Sequence, residues 1–205
     1  MLQGMTAHYL VHGCRSTKPG DVALVHAAAG GAGQMTVQTL KHAGARVLGT
    51  CSTPQKAEAA LAAGCDEVIQ YTEVDFAEEA RRLTDGRGVD VIYDGVGKTT
   101  FEKGLGCLVP RGLMCLFGYA SGRPDPFDID RLQGAGSVFV TRPSLFHYTL
   151  DREEYAMRAG AVLDGIAAGW LRIAIGARFP LENAADAHRA LEGRLTTGKV
   201  LLETS

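Results

Sequence analysis

What the sequence lacks narrows it first. Lys and Arg supply 21 charges against 23 from Asp and Glu, a formal net charge of -2 over 205 residues. Without a basic excess there is nothing to neutralise a run of phosphates, which argues against nucleic acid as a partner. No apolar run approaches the length that crosses a bilayer. The opening MLQGMTAHYLVHG lacks the basic and small-residue flanks of a secretory signal. The cysteines, Cys14, Cys51, Cys65, Cys107 and Cys115, are odd in number and include no C-x-x-C spacing. Scattered thiols fit a reducing, cytoplasmic setting without disulfides or structural zinc. No G-x-S-x-G elbow is present, and Ser121 in GYASG reads as a turn residue rather than a nucleophile.

Glycine is what the chain has in plenty, 26 residues, mostly at the ends of apolar runs. There it punctuates structure. TLKHAGARVLGTC and ALAAGCDEVIQY each show a helical tail, an Ala-Gly stop and a short β-rich run. Gly44 and Gly64 fit the left-handed position just past a helix. Strands are expected at 21–28, 46–51, 67–71, 89–96, 112–118 and 136–141, with helices between most of them. Runs apolar on both faces, such as VDVIYDGV and GLMCLFG, suit the middle of a parallel sheet. Six strands alternating with helices predict an α/β fold, a Rossmann-type doubly wound parallel sheet, over residues 1–143.

The texture changes after Pro143. DREEYAMRAGAVLDGIAAG predicts a long helix, WLRIAIGARF an exposed strand, PLENAADAHRALEGR a second helix and GKVLLE a last strand. This α/β tail, 144–205, is too small to fold alone. It must pack on the sheet domain or on something else.

DVALVHAAAGGAGQM runs from a strand into a helix through small residues. A helix N-terminus with free N–H groups favours an anion. Gly30 lets the backbone approach a pyrophosphate, and Gly33 lets helix pack on strand. Ala28 stands where the fingerprint G-x-G-x-x-G has its first glycine, which is acceptable if its φ is below zero. A ligand-free tight turn is the bland alternative. About 20 residues past such a loop, an NAD site commonly carries an acid for the ribose 2′-hydroxyl. Here Cys51, Ser52 and Thr53 stand instead, with Lys56 a helical turn further. Hydroxyls and an ammonium suit a 2′-phosphate, so NADP(H) is favoured over NAD(H).

His8 and His12, four apart on the first helix, are read as a surface pair rather than metal ligands, and no metal site is assigned. His26 reads as a hydrogen-bonded core residue.

Together GMTAHYLV, VHAAAGGAGQ, STPQKAEAALAAGCDEVIQY, VIYDGVGKTTFEKGLGCLVPRGLMCLFG and VTRPSLFHY resemble the zinc-independent quinone oxidoreductases. These are the zeta-crystallin-like branch of the medium-chain dehydrogenase/reductase superfamily. The resemblance runs in order along the whole chain. It implies an NADPH-dependent reductase passing a hydride to a quinone or another α,β-unsaturated carbonyl. By resemblance, Thr6 lies near the nicotinamide, and Gly30, Gly31 and Gly33 form the pyrophosphate loop. Ser52, Lys56, Tyr71 and Arg194 surround the 2′-phosphate, and Val96, Phe117 and Gly118 line the nicotinamide side. Tyr119 is a candidate substrate contact. No acid–base catalytic residue is assigned, since the cofactor carries the hydride chemistry.

Family members begin with a GroES-like barrel that walls the substrate cleft, and by resemblance the tail 144–205 is expected to pack on that catalytic domain. The chain is expected to be a truncated, cofactor-binding portion without that barrel. Two alternatives stay open: a dimerising nucleotide-binding module without catalysis of its own, and an enoyl reductase of the same superfamily. The edge strand 136–141 is expected to pair with its copy in a homodimer.

Overall fold

In the computed structural model, residues 1–204 are described. The expected sheet is present: six strands, all parallel, in the order β3-β2-β1-β4-β5-β6. The strands are β1 Val22–Val25, β2 Arg46–Cys51, β3 Glu67–Gln70, β4 Val89–Asp94, β5 Leu108–Leu116 and β6 Phe139–Thr141. That order reverses between β1 and β4, which opens a crevice at the carboxyl ends of the strands. Strand β4 is buried at every position, as its unbroken apolar run requires.

Strand alternation splits the core in two. Val25, Val47, Val91 and Tyr93 face one side with Leu10, Val37 and Leu40. Leu24, Leu48, Ile92 and Met114 face the other with Ile69 and Phe76. The helices between strands are α2 Gly31–His42, α3 Pro54–Ala62, α4 Phe76–Leu83 and α5 Phe101–Leu105, and α6 spans Asp130–Gly134. Gly44 and Gly64 carry φ of +82° and +111° just past α2 and α3, as their helix-stop role demands.

Several bounds shift from the sequence reading. The helix expected over 98–109 stops at Leu105, and β5 begins already at Leu108. Arg111 takes a left-handed φ of +63° inside β5, where the ladder with β4 is irregular. That break hides the first half of the strand from a pattern search. The edge strand shortens to three residues, with Val138 turned into the core.

At the amino end, α1 Leu2–His8 widens into π-type turns over Tyr9–Cys14. In the tail, α7 Arg152–Ala167 is capped by Asp151, whose side chain accepts from the Glu154 N–H. Strands β7 Ile175–Pro180 and β8 Lys199–Glu203 pair in parallel, with α8 Ala184–Glu192 between them. The strand expected from Trp170 starts only at Ile175. Trp170 instead stacks on His42, with ring centroids 4.0 Å apart. Pro180 ends β7 rather than starting the next helix, and a 3-10 turn, Leu181–Asn183, intervenes. Of the two supports open to the tail, the sheet side is one that it uses: Val162 of α7 and Leu171 beyond its end pack with Met5, Ala7 and Met35.

Candidate functional site

The strand ends and the tail enclose a cavity of about 580 Å³, within the range of small-molecule sites. Its floor is the turn from β1 into α2. Ala27 takes a left-handed φ of +52°, and Ala28 does not, so an alanine is tolerated where the fingerprint has glycine. The Ala28 methyl meets Gly49 of β2, where a Cβ would come within 2.8 Å of it. At Gly33 a Cβ would lie 2.3 Å from the Ala27 carbonyl oxygen. Any side chain there would force α2 off the turn. The first turn of α2 carries no side-chain cap. Its leading N–H groups therefore remain available to an anion. The tail reaches across this turn: the Gly198 N–H donates to the Ala29 carbonyl at 2.9 Å.

Basic and hydroxyl groups gather where β2 ends. Lys56 Nζ donates to Ser52 Oγ at 3.3 Å and to the Arg194 carbonyl at 2.6 Å. Thr53 caps α3 and sets Lys56 in its first turn. Arg194 comes from the tail, with its guanidinium directed to the Ala120 carbonyl at 3.4 Å. Tyr71 stands beside them, half-exposed. Burial pushes the Cys51 thiol upward, so this strand end presents no anion. A phosphate monoester would find an ammonium and a hydroxyl there, with the Arg194 side chain on the same cavity, while Asp75, a carboxylate of the lining, is paired with Lys103.

The cavity thus brings together Gly30, Gly31, Ser52, Lys56, Tyr71, Val96 and Arg194 of the sequence-derived residues. Gly33 lies behind the floor, as a packing position. Phe117 and Gly118 sit off the cavity wall, at the end of β5, where both N–H groups donate to the Asp94 carbonyl. Thr6 is on α1 and turns its hydroxyl back to the Leu2 carbonyl at 2.8 Å. Tyr119 lies under the Arg142 guanidinium, 4.4 Å from ring centroid to Cζ.

Sequence reasoning missed Gln3, Thr50, Phe76, Thr99, Thr100 and Lys103, which also line the cavity. Thr99 and Thr100 follow the apolar run of β4 and could have been found from that position alone. Gln3 and Phe76 are brought in by tertiary packing, which leaves no local signal.

The histidines need one correction. His8 and His12 face each other at 4.8 Å, but His8 is half-buried rather than a free surface group. Its Nδ1 lies 3.1 Å from Arg158 Nη1. A guanidinium can only donate, so Nδ1 accepts. Burial first, then His12 and Arg158, lower the His8 pKa to about 4. A guanidinium at this distance also opposes a metal cation. Among the described residues no group of three or more His, Cys, Asp or Glu side chains gathers as a metal site. His26 is buried, with Nδ1 3.0 Å from Thr50 Oγ1. No helix among the described residues is long and apolar enough to cross a membrane.

Residues 31–158 match a family model described as zinc-binding dehydrogenase. Over 203 residues the chain is 47% identical to a 2-haloacrylate reductase of a Burkholderia species, covering 98% of this chain and 61% of that one. It is 41% identical over 203 residues to quinone oxidoreductase 1 of Escherichia coli strain K12, covering 98% and 62%. A solved mycobacterial protein complexed with NADPH superposes with a TM-score of 0.95 at 48% identity, covering 99% of this chain and 63% of that chain. The Escherichia coli quinone oxidoreductase complexed with NADPH gives a TM-score of 0.95 at 40% identity, with 99% and 63% covered. The chain therefore spans about three-fifths of the length of the curated relatives it matches.

Proposed function

The chain belongs to the zinc-independent quinone oxidoreductase branch of the medium-chain dehydrogenase/reductase superfamily, and from that premise we propose that it is the NADPH-binding portion of a reductase acting on activated alkenes. One observation carries this reading. One cavity is lined by a glycine turn at a helix N-terminus and by Ser52, Lys56 and Arg194, with no acid at the end of β2. Gly30 and Gly31 would admit the pyrophosphate to the α2 N-terminus. Lys56, Ser52, Tyr71 and Arg194 would hold the 2′-phosphate. Bound there, NADPH would supply the hydride. This chain's own residues bind and orient the cofactor and keep water from its buried side.

The relatives suggest the acceptor class. A quinone and a 2-haloacrylate both carry a C=C bond conjugated to a carbonyl, so the shared substrate is an α,β-unsaturated carbonyl compound. Thr6, Phe117 and Gly118 stay in the proposal as residues near the nicotinamide. Five free cysteines accord with a reducing, cytoplasmic compartment. The exposed edge β6, with Phe139 61% accessible, would pair with a second copy in a homodimer. A monomer at every concentration in sedimentation would overturn that part.

A second reading, a nucleotide-binding module without independent turnover, is favoured by the apolar tail surface around Ile175 and Leu195. The deciding experiment has two stages. Titration should show NADPH binding much more tightly than NADH; equal affinities would refute the assignment of Ser52 and Lys56. NADPH oxidation with a simple quinone is then compared between this chain and a version carrying the upstream coding region. Turnover only by the longer version supports the proposal, and turnover by neither favours the module.

A further inference from the structure

Asp94 ends β4, is wholly buried and forms no salt bridge among the described residues. A buried carboxylate is costly unless its lone pairs are filled by donors. Here they are filled by a single turn. Oδ1 accepts from the Val96 N–H at 2.7 Å and the Gly97 N–H at 3.1 Å. Oδ2 accepts from Thr100 Oγ1 at 2.8 Å. Val96 and Thr100 both line the cavity. The main chain of the same residue reaches the neighbouring strand end, its carbonyl accepting from Phe117 N–H at 2.8 Å. Val96 passes the constraint on: its carbonyl accepts from the Ser121 N–H and from Ser121 Oγ, both at 2.8 Å. One acidic side chain therefore fixes the backbone and one hydroxyl of the wall beyond the glycine turn.

Its placement is specific. Helix α5 begins only at Phe101, and its Thr100 cap position makes no side-chain cap bond. The Thr100 hydroxyl donates instead to Asp94 at 2.8 Å, with the Gly97 carbonyl a longer second acceptor at 3.2 Å. The adjoining strand end repeats the arrangement with a different donor set: buried His26 holds the Thr50 hydroxyl, and Thr50 also lines the cavity.

We propose that Asp94 is a positioning residue for the dinucleotide, acting through Val96, Gly97 and Thr100 on the part of the cavity that NADPH and NADH share. This inference rests on the cofactor reading above. It makes a demand that a purely structural carboxylate would not: substitution must change cofactor affinity in protein that is still folded, and must leave the NADPH-to-NADH preference alone. In the cofactor reading that preference belongs to Lys56 and Ser52, beside the end of β2.

The test uses Asp94→Asn, Thr100→Val and Thr100→Ser, each confirmed folded by circular dichroism well below its unfolding temperature. Dissociation constants for NADPH and NADH are measured by titration. Asp94→Asn presents an amide N–H2 or a single carbonyl to a turn that needs a full acceptor set. It should weaken both cofactors by roughly tenfold, equivalent to about 1.4 kcal/mol, with their ratio unchanged. Thr100→Val should weaken both by a smaller factor, and Thr100→Ser, which keeps the hydroxyl, should bind as the unmodified chain does. If Asp94→Asn fails to fold, the Val and Ser pair decides. Folded variants that bind NADPH as tightly as the unmodified chain overturn the inference, as does a shift in the NADPH-to-NADH ratio. An unmodified chain that binds neither dinucleotide overturns the cofactor reading and this inference with it. Binding by the unmodified chain with unaltered variants overturns this inference alone.

Discussion

Strands β4 and β7 are both six residues long, and their surroundings are opposite. Every residue of β4 is buried between two helical layers, whereas no residue of β7 is, and Ile175 is 45% exposed. The first belongs to a sheet whose two faces are both covered. The second belongs to a two-stranded ribbon, an arrangement that is marginal by itself. The tail is held by specific contacts that include Val162 against α1, Trp170 on His42, Gln38 bridging to Arg172, and Gly198 on the glycine turn. The sheet and its helices hold most of the buried residues, and the tail lines part of the cavity without much core of its own.

The sharpest way to break that contrast is to truncate one leucine in each region. Leu48, fully buried in β2, should cost about 2–5 kcal/mol as Leu48→Ala, because the cavity adds to the lost transfer energy. Leu195, 81% exposed, should cost under about 0.5 kcal/mol as Leu195→Ala. Urea denaturation of both variants checks this. Comparable losses would mean that the tail surface is covered in solution.

The two regions meet over one function, and a smaller effect probes it. Lys56 belongs to the sheet domain and Arg194 to the tail, and Lys56 Nζ bonds the Arg194 carbonyl. Lys56→Ala should reduce the preference for NADPH over NADH by about tenfold, the worth of a charge-assisted bond to phosphate. Arg194→Ala should act in the same direction. The double variant should lose less than the sum if both side chains meet the same phosphate, since groups with a shared partner couple. Titration of both cofactors against the three variants measures this. Full additivity would separate the tail from the phosphate subsite.

How far the sequence could be read follows the same division. The sheet was legible because its strands carry unbroken apolar runs and its helices stop at glycines, as at Gly44 and Gly64. The floor of the cavity was legible as well, because a glycine turn between strand and helix has a local signature. The start of β5 was hidden by the irregular backbone at Arg111. The start of β7 was hidden because Trp170 and Leu171 look like strand residues and are instead spent on packing against His42 and the α1–α2 surface. Gln3, Phe76 and Lys103 reach the cavity through tertiary packing, so spacing in the sequence held no trace of them. Asp94 was visible only as the polar end of an apolar run; its three donors are seen in space alone.

The smallest expected effect concerns the seam itself. His8 sits on α1 with its Nδ1 against Arg158 of α7, and Arg158 in turn pairs with Glu154 and donates to the Tyr148 carbonyl. The folded-state pKa of His8 falls from 6.5 to about 4, chiefly through burial. The unfolded chain therefore binds the proton first as pH drops. The stabilisation from a neutral His8 is complete above pH 6.5 and is lost as pH falls towards about 4. His8 is half-exposed to water, which screens the effect, so a loss on the order of 1 kcal/mol is expected. His26 inside the sheet and His12 beside His8, whose pKa values are also lowered chiefly by burial, contribute slopes of their own. His8→Gln retains an acceptor for Arg158 but cannot take up the proton. Urea midpoints at pH 7 and pH 4.5 should fall less for His8→Gln than for the unmodified chain, with the His26 and His12 parts of the slope remaining. An identical fall in both would show that His8 contributes nothing to the acid sensitivity.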